Sequence, residues 1–154
     1  MISIEYHFRK ATISDFDFIF DLKKQNFKKY IEEYFNWNEK ERKEMYYNNL
    51  ENYMGEYNII VANNTDIGVF AVDESHEGES YISEISLIKE YQNKGIGTEI
   101  LNNLLIKNKE KGLRTKLKVF KNSPAKKLYE RLGFLVYGEN ESHYQMETCI
   151  NENS

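Results

Sequence analysis

Between residues 81 and 105 the apolar residues change period. YISEISLI, residues 81–88, reads as a buried strand, whereas from Gly95 onward Ile96, Ile100 and Leu104, with Leu101 and Leu105, form the adjoining double row of an amphipathic helix. A strand that runs into a helix must find a sheet for itself and lay the helix on it, which restricts the chain to layered α/β arrangements. The junction reads QNKGIG and uses two of the eight glycines of the chain. Glycine loses more freedom on folding than any other residue, so two at a helix mouth need a reason. The first N–H groups of a helix are unpaired and lie at the positive end of its dipole, which makes an anion site. Gly95 and Gly97 remove side chains that would hold a phosphate off, and Lys94 adds a cation. A pyrophosphate suits such a turn.

The rest of the chain supplies the other elements. Ile2–Arg9 alternates like a half-buried strand, and TISD, residues 12–15, reads as a capping box before a helix with Phe16, Ile19, Phe20 and Phe27 on one face. NEKE, from Asn38, starts a second helix that runs to about Tyr53. Residues 58–62 and 67–72 are apolar runs separated by NNTD, a hairpin signal. Gly112 stands where a glycine closes the helix that begins near Gly95. LKVF, residues 117–120, reads as a short strand; Ser123 and Pro124 open a helix that Gly133 closes. The last apolar stretch reads as two strands joined by GENES. Interleaved strands and helices imply a mixed α/β (α+β) fold, and 154 residues without linker or repeat suit a single domain over 1–154.

Charge and cysteine usage exclude several functions. The net charge of -4 argues against a nucleic-acid binder that neutralises phosphates. Residues 1–80 carry net -7 and residues 81–154 net +3, so the two halves suit ligands of opposite sign. No apolar run reaches membrane-spanning length, and MISIEYHFRK lacks the apolar core of a secretory signal, so neither membrane nor secretion is expected and the cytoplasm is the expected compartment. A single cysteine, Cys149, forms no internal disulfide, and three scattered histidines offer no metal-ligand spacing, so no metal is expected.

Three phosphate-binding motifs compete at the junction. A P-loop needs a lysine followed by Ser or Thr at its close, and a dinucleotide fingerprint needs a third glycine where Ile100 stands; both fail. Gln92, Gly95 and Gly97 instead match Q/R-x-x-G-x-G/A, the acyl-CoA motif of the GNAT superfamily of N-acetyltransferases, which this segment resembles. KNSPAKKLYERLGF, residues 121–134, resembles that family's second signature at Asn122, Ala125, Leu128, Tyr129, Gly133 and Phe134. The two signatures stand in the family's order over about residues 81–137.

The resemblance implies a central mixed, mostly antiparallel sheet of about six to seven strands flanked by about four helices. It implies acetyl-CoA as cosubstrate, held by the backbone of Ile85, Ser86 and Leu87 along the pantetheine arm, by the turn from Gln92 through Asn93, Lys94, Gly95, Ile96 and Gly97 to Thr98 at the diphosphate, and by Asn122. In the same pattern the Leu87 amide stabilises charge on the thioester oxygen and Tyr129 gives its proton to the departing thiolate. Lys89 stands where many relatives have proline, which touches only the strand exit.

The acceptor is read from the residues. A primary amine is mostly protonated at neutral pH, so a base or water chain must take a proton before attack. Glu84, opposite Ile85 and Leu87 by strand alternation, is the candidate base, and Tyr81 a group to order a relay water. YIEEYFNW resembles, more weakly, the acceptor segment of some small-molecule relatives, which points to Glu32, Glu33, Tyr34 and Trp37 as an amine-binding wall. The expected function is acetyl transfer to a primary amine of a small molecule by direct attack. Acetylation of protein N-termini or lysines, and acyl-CoA binding without catalysis, stay open, as does a homodimer. Cys149 has no histidine nearer in sequence than His143 and is set aside as a nucleophile.

Overall fold

In the computed structural model of the chain, which describes residues 3–149, Asn63 and Asn64 both take left-handed backbone angles (φ 52° and 58°). Two such residues make a tight turn whose twist suits a hairpin, and asparagine tolerates the angles better than most residues. The turn joins β2 (Tyr57–Ala62) to β3 (Thr65–Asp73), with Ala62 opposite Thr65. β1 (His7–Lys10) pairs antiparallel with β2. It is shorter than the strand expected over Ile2–Arg9: residues 3–6 lie outside any ladder, since β2 offers partners only for His7–Lys10, and Ile2 falls outside the described residues.

The remaining strands are β4 (Glu79–Leu87), β5 (Arg114–Phe120), β6 (Phe134–Glu139) and β7 (His143–Thr148). One seven-stranded sheet results, in the order β1-β2-β3-β4-β5-β7-β6. β4 and β5 pair in parallel at Glu79–Tyr81 against Arg114–Lys116, while β5/β7 and β6/β7 are antiparallel. Four helices accompany the sheet: α1 (Phe16–Ile31), α2 (Glu39–Asn52), α3 (Ile96–Glu110) and α4 (Ala125–Arg131). The mixed α+β architecture is the expected one. No helix among the described residues is long and apolar enough to cross a membrane.

The chain divides into two compact units, one running through Val72 and including Glu84–Gly97, the other made of Asp73–Ser83 and the residues from Thr98 on. In the first unit, Ile19 and Leu22 of α1 join Leu50 of α2 and Tyr57, Ile59, Val61, Val69 and Ala71 of the hairpin in one apolar cluster. Thr12 N–H donates to Asp15 Oδ2 (2.8 Å), as the capping-box reading expects, and Asn38 Oδ1 caps α2 by accepting from Glu41 N–H (3.0 Å). Arg9 bonds Asp15 through both terminal nitrogens (2.8 and 3.0 Å) and reaches Asp66 (2.9 Å), so β1, the entry to α1 and β3 share one cation. In the second unit, Ile100, Leu101 and Leu104 of α3 are buried as their periodicity predicts, and the row continues into Asn108, which is fully buried and donates to Thr115 Oγ1 (2.8 Å). Ser123 Oγ accepts from Ala125 N–H (3.2 Å) at the entry to α4.

Gly68, in the middle of β3, is fixed by close approach. A Cβ there would collide with the Ser86 carbonyl oxygen and come within 2.8 Å of Leu87 Cδ2, at the end of β4. Gly68→Ala is therefore expected to destabilise the protein by about 1–3 kcal/mol in urea denaturation, the usual cost of overpacking; a loss below about 0.5 kcal/mol would show that the strand end yields freely.

Candidate active site

After Leu87 the chain makes a short 3₁₀ turn, Lys89–Tyr91, before the glycine segment. Ile88 N–H donates to Ile67 O (2.8 Å), and the Tyr91 hydroxyl accepts from Asn63 Nδ2 (3.1 Å), which ties the turn to the β2–β3 hairpin. Gln92 points inward: its Nε2 donates to Leu87 O (2.8 Å) and to Asn26 Oδ1 (3.2 Å). Asn26 Nδ2 donates to the same Leu87 oxygen (3.2 Å). The motif glutamine thus holds the turn onto the strand end.

Beyond Gln92, Asn93 and Gly95 lie in the left-handed region (φ 60° and 88°). Among the described residues the main-chain N–H groups of Asn93, Lys94 and Gly95 donate to no protein acceptor. Successive residues of opposite backbone hand with free donors have the pattern of an anion-binding nest, and all three residues are exposed. Gly97 sits in the first turn of α3 at an ordinary angle. A Cβ built on it would meet only Leu87 Cδ1 at 4.0 Å, an ordinary contact. Packing within the protein therefore does not demand glycine at this position.

β4 buries Ser80, Ile82, Glu84 and Ser86 on one face and leaves Tyr81, Ile85 and Leu87 half-buried on the other. Glu84 is opposite Ile85 and Leu87, as alternation requires, but it is no open carboxylate. Its side chain is 1% exposed, and Lys23 Nζ of α1 stands 2.7 Å from Oε1. Burial works against the Lys23 charge, yet Glu84, Tyr57 and Tyr46 together outweigh it, so Lys23 titrates above an ordinary lysine. The Tyr46 ring lies 4.8 Å from Nζ, and Tyr57, whose hydroxyl burial pushes up, also faces the lysine. Glu84 Oε2 and Ser86 Oγ are buried without a hydrogen bond among the described residues.

In the second unit, Asn122 lies between β5 and α4 with both Nδ2 and Oδ1 buried and unpartnered among the described residues. A buried amide costs free energy unless something satisfies it, so this one fits a polar group of a ligand. Tyr129, on α4, packs edge-on against Phe134 at the start of β6 (centroids 5.8 Å apart). Burial pushes its hydroxyl pKa up, so the phenol keeps its proton across the neutral range. The Tyr81 hydroxyl is pushed up to about 12, first by burial and then by Tyr137. Thr98, in the first turn of α3, is half-buried.

In the acceptor segment Glu32 and Glu33 are exposed just past the end of α1, and Tyr34 N–H donates to Ile31 O (3.0 Å). Trp37 is engaged within the protein. Its Nε1 donates to Glu39 Oε1 (2.9 Å), its ring packs on Phe20, and Lys28 and Arg42 lie 5.8 and 5.6 Å from the ring centre. Cys149 is exposed, one residue past β7. No group of His, Cys, Asp and Glu among the described residues is arranged to hold a metal ion.

Sequence reasoning missed Lys23 and Asn26. Both interrupt the inner face of α1, lying four and seven residues after the buried Ile19. Polar side chains on a core-facing stripe were the available signal.

The model of the acetyltransferase (GNAT) family matches residues 17–134 of the chain, a span that includes the strand, turn and helix around Gly95 and the segment with Asn122 and Tyr129. The chain belongs to that family and is an acyltransferase. Among its relatives is the [ribosomal protein bS18]-alanine N-acetyltransferase of Haemophilus influenzae, 31% identical over 109 residues that cover 68% of this chain and 74% of that one. Similar solved structures include the PaiA N-acetyltransferase of Thermoplasma acidophilum in complex with coenzyme A (TM-score 0.75, 21% identity, covering 94% of this chain and 99% of that one). Another is the ribosomal-protein-S18-alanine N-acetyltransferase of Escherichia coli (TM-score 0.66, 19% identity, covering 97% and 99%).

Removing one partner of a buried ion pair strands the other charge. Lys23→Met should cost about 3–5 kcal/mol in urea denaturation, and the double variant with Glu84→Gln should recover much of that loss. Equal losses in the single and double variants would show that the pair carries no coupling.

Proposed function

We propose that this chain transfers the acetyl group of acetyl-CoA to a primary amine of a small cationic molecule, by direct attack while both are bound. The observation that carries the reading is the nest at Asn93–Gly95, whose main-chain donors are free and whose neighbour Gly97 leaves room that packing does not need. Those donors, with Lys94 and the first turn of α3 through Ile96, Gly97 and Thr98, would hold the diphosphate. The β4/β5 ladder is formed at Glu79–Tyr81, while β4 continues to Leu87 and β5 to Phe120, which supports a role for the backbone of Ile85, Ser86 and Leu87 along the pantetheine arm. Negative charge on the thioester oxygen needs a donor, so the stabilising role at Leu87 would belong to its N–H, while Asn26 and Gln92 hold its carbonyl. Asn122 would pair its unsatisfied amide with a pantetheine amide.

Acetyl-CoA supplies the acyl group as a thioester. Tyr129 holds a proton at its phenolic oxygen and would give it to the departing sulfur. Glu84, beside Lys23, would take the proton that the ammonium of the acceptor must lose; with both carboxylate oxygens buried, a relaying water joins it to the amine. The exposed carboxylates Glu32 and Glu33, with Tyr34, would attract the cationic acceptor. The exposed free thiol of Cys149 suits the cytoplasm.

A second reading, acetylation of the α-amine of a protein N-terminus, is favoured by the activity of the Haemophilus relative. Thiol release from acetyl-CoA, measured against polyamines, aminoglycosides, amino acids and alanine-terminated peptides, separates the two. Turnover is expected with a small amine; turnover with peptides alone would select the second reading. Tight coenzyme A binding with no transfer to any amine would identify an acyl-CoA sensor.

Tyr129→Phe is expected to lower single-turnover acetyl transfer by about 10²-fold with coenzyme A binding retained. An unchanged single-turnover rate would take the proton-donor role from this residue.

A further inference from the structure

We propose that Asn26 is a positioning residue for the diphosphate nest, acting from α1 through Gln92. The inference rests on the coenzyme A site proposed above and assigns it a part that lies far away in the chain. Asn26, Gln92 and Leu87 form a closed triangle of three hydrogen bonds, with Asn26 separated from Leu87 by 61 residues and from Gln92 by 66. A primary amide nitrogen carries two hydrogens, and the two bonds from Gln92 Nε2 use both. Asn26 is used at both ends, donating to the strand carbonyl and accepting from the glutamine. The triangle therefore fixes both the position and the rotation of the Gln92 amide.

Asn93 follows at once in the left-handed region, and the three free N–H groups come next. Their placement depends on how the chain leaves Gln92, because no protein acceptor among the described residues holds them. Without Asn26, Gln92 keeps one bond, to Leu87 O, and its side chain regains a rotation. The nest then has to be ordered when the anion binds, which weakens binding without touching the reacting atoms. Lys23, one turn earlier on α1, grips Glu84 of the same strand, so the helix that carries Asn26 is fixed against β4 at a second point.

Calorimetry with coenzyme A and steady-state kinetics with acetyl-CoA test the assignment. Asn26→Ala should raise the Kd for coenzyme A and the KM for acetyl-CoA about tenfold, the scale of a lost hydrogen-bond pair, while kcat stays within about twofold. Gln92→Ala should do likewise, and the double variant should bind no worse than Gln92→Ala alone, since one triangle is broken in each. Wild-type binding by Asn26→Ala, penalties that add in the double variant, or a fall in kcat with KM unchanged would each overturn the role of Asn26 and leave the coenzyme A site standing. Failure of the unaltered protein to bind coenzyme A would remove that site and this inference together. Should Asn26→Ala not fold, Asn26→Ser is judged by the same outcomes.

Discussion

Every peptide unit brings one donor and one acceptor, and a chain leaving a sheet must find partners for both. From Leu87 to Gly95 this protein meets that demand unequally. The Leu87 carbonyl receives two side-chain donors, and the Ile88 N–H finds Ile67, whereas the donors of Asn93, Lys94 and Gly95 have no protein acceptor among the described residues. The carbonyls of Leu87, Ile88 and Lys89 are satisfied within the protein, and three donors farther along the segment are left over. The bareness of Gly68 lets β3 lie against the Ser86 carbonyl at the strand end from which that segment departs. The free donors of this segment thus follow from how the backbone is satisfied at the strand end, and the Lys94 side chain adds a cation beside them.

Local chemistry was readable where one or two residues decide the outcome. The NNTD segment forecast a hairpin, and the turn proved to need only its two asparagines, with Thr65 and Asp66 already in β3. Thr12 with Asp15 and Asn38 cap as their types predict, because a cap is a contact between near neighbours in sequence, whereas α4 starts one residue later than expected, with Pro124 at its N-cap and Ser123 accepting from Ala125 N–H just before it. The apolar rows of α3 were readable for the same reason. Pairings across long separations were not: nothing in KKQN at residues 23–26 announces that its first residue meets Glu84 and its last Leu87. The consequence is largest at Glu84. Strand alternation gave its face correctly, but its burial and its lysine partner depend on α1, which is remote in sequence.

Burial disfavours charge on Tyr129 and on Lys23 alike, with different outcomes. At Tyr129 it favours the neutral phenol and so preserves a proton. At Lys23 the same force opposes the charge, and Glu84, Tyr57 and Tyr46 together override it. Asn122 has no charge to lose and is left with both amide atoms unmatched. Packing for stability alone would favour apolar replacements at Lys23, Glu84 and Asn122.

Arg9 gives the first strand a dependence on acidity. Its hydrogen bonds are the largest influence holding the Asp15 carboxyl below its ordinary value of 3.8. A carboxylate lowered in this way stabilises the folded chain at pH above that value, and the contribution fades as acid titrates it through the lower, folded one. Strong acid therefore withdraws two of the three bonds that hold β1 to the entry of α1 and to β3, and loosening under such conditions begins at that edge of the sheet.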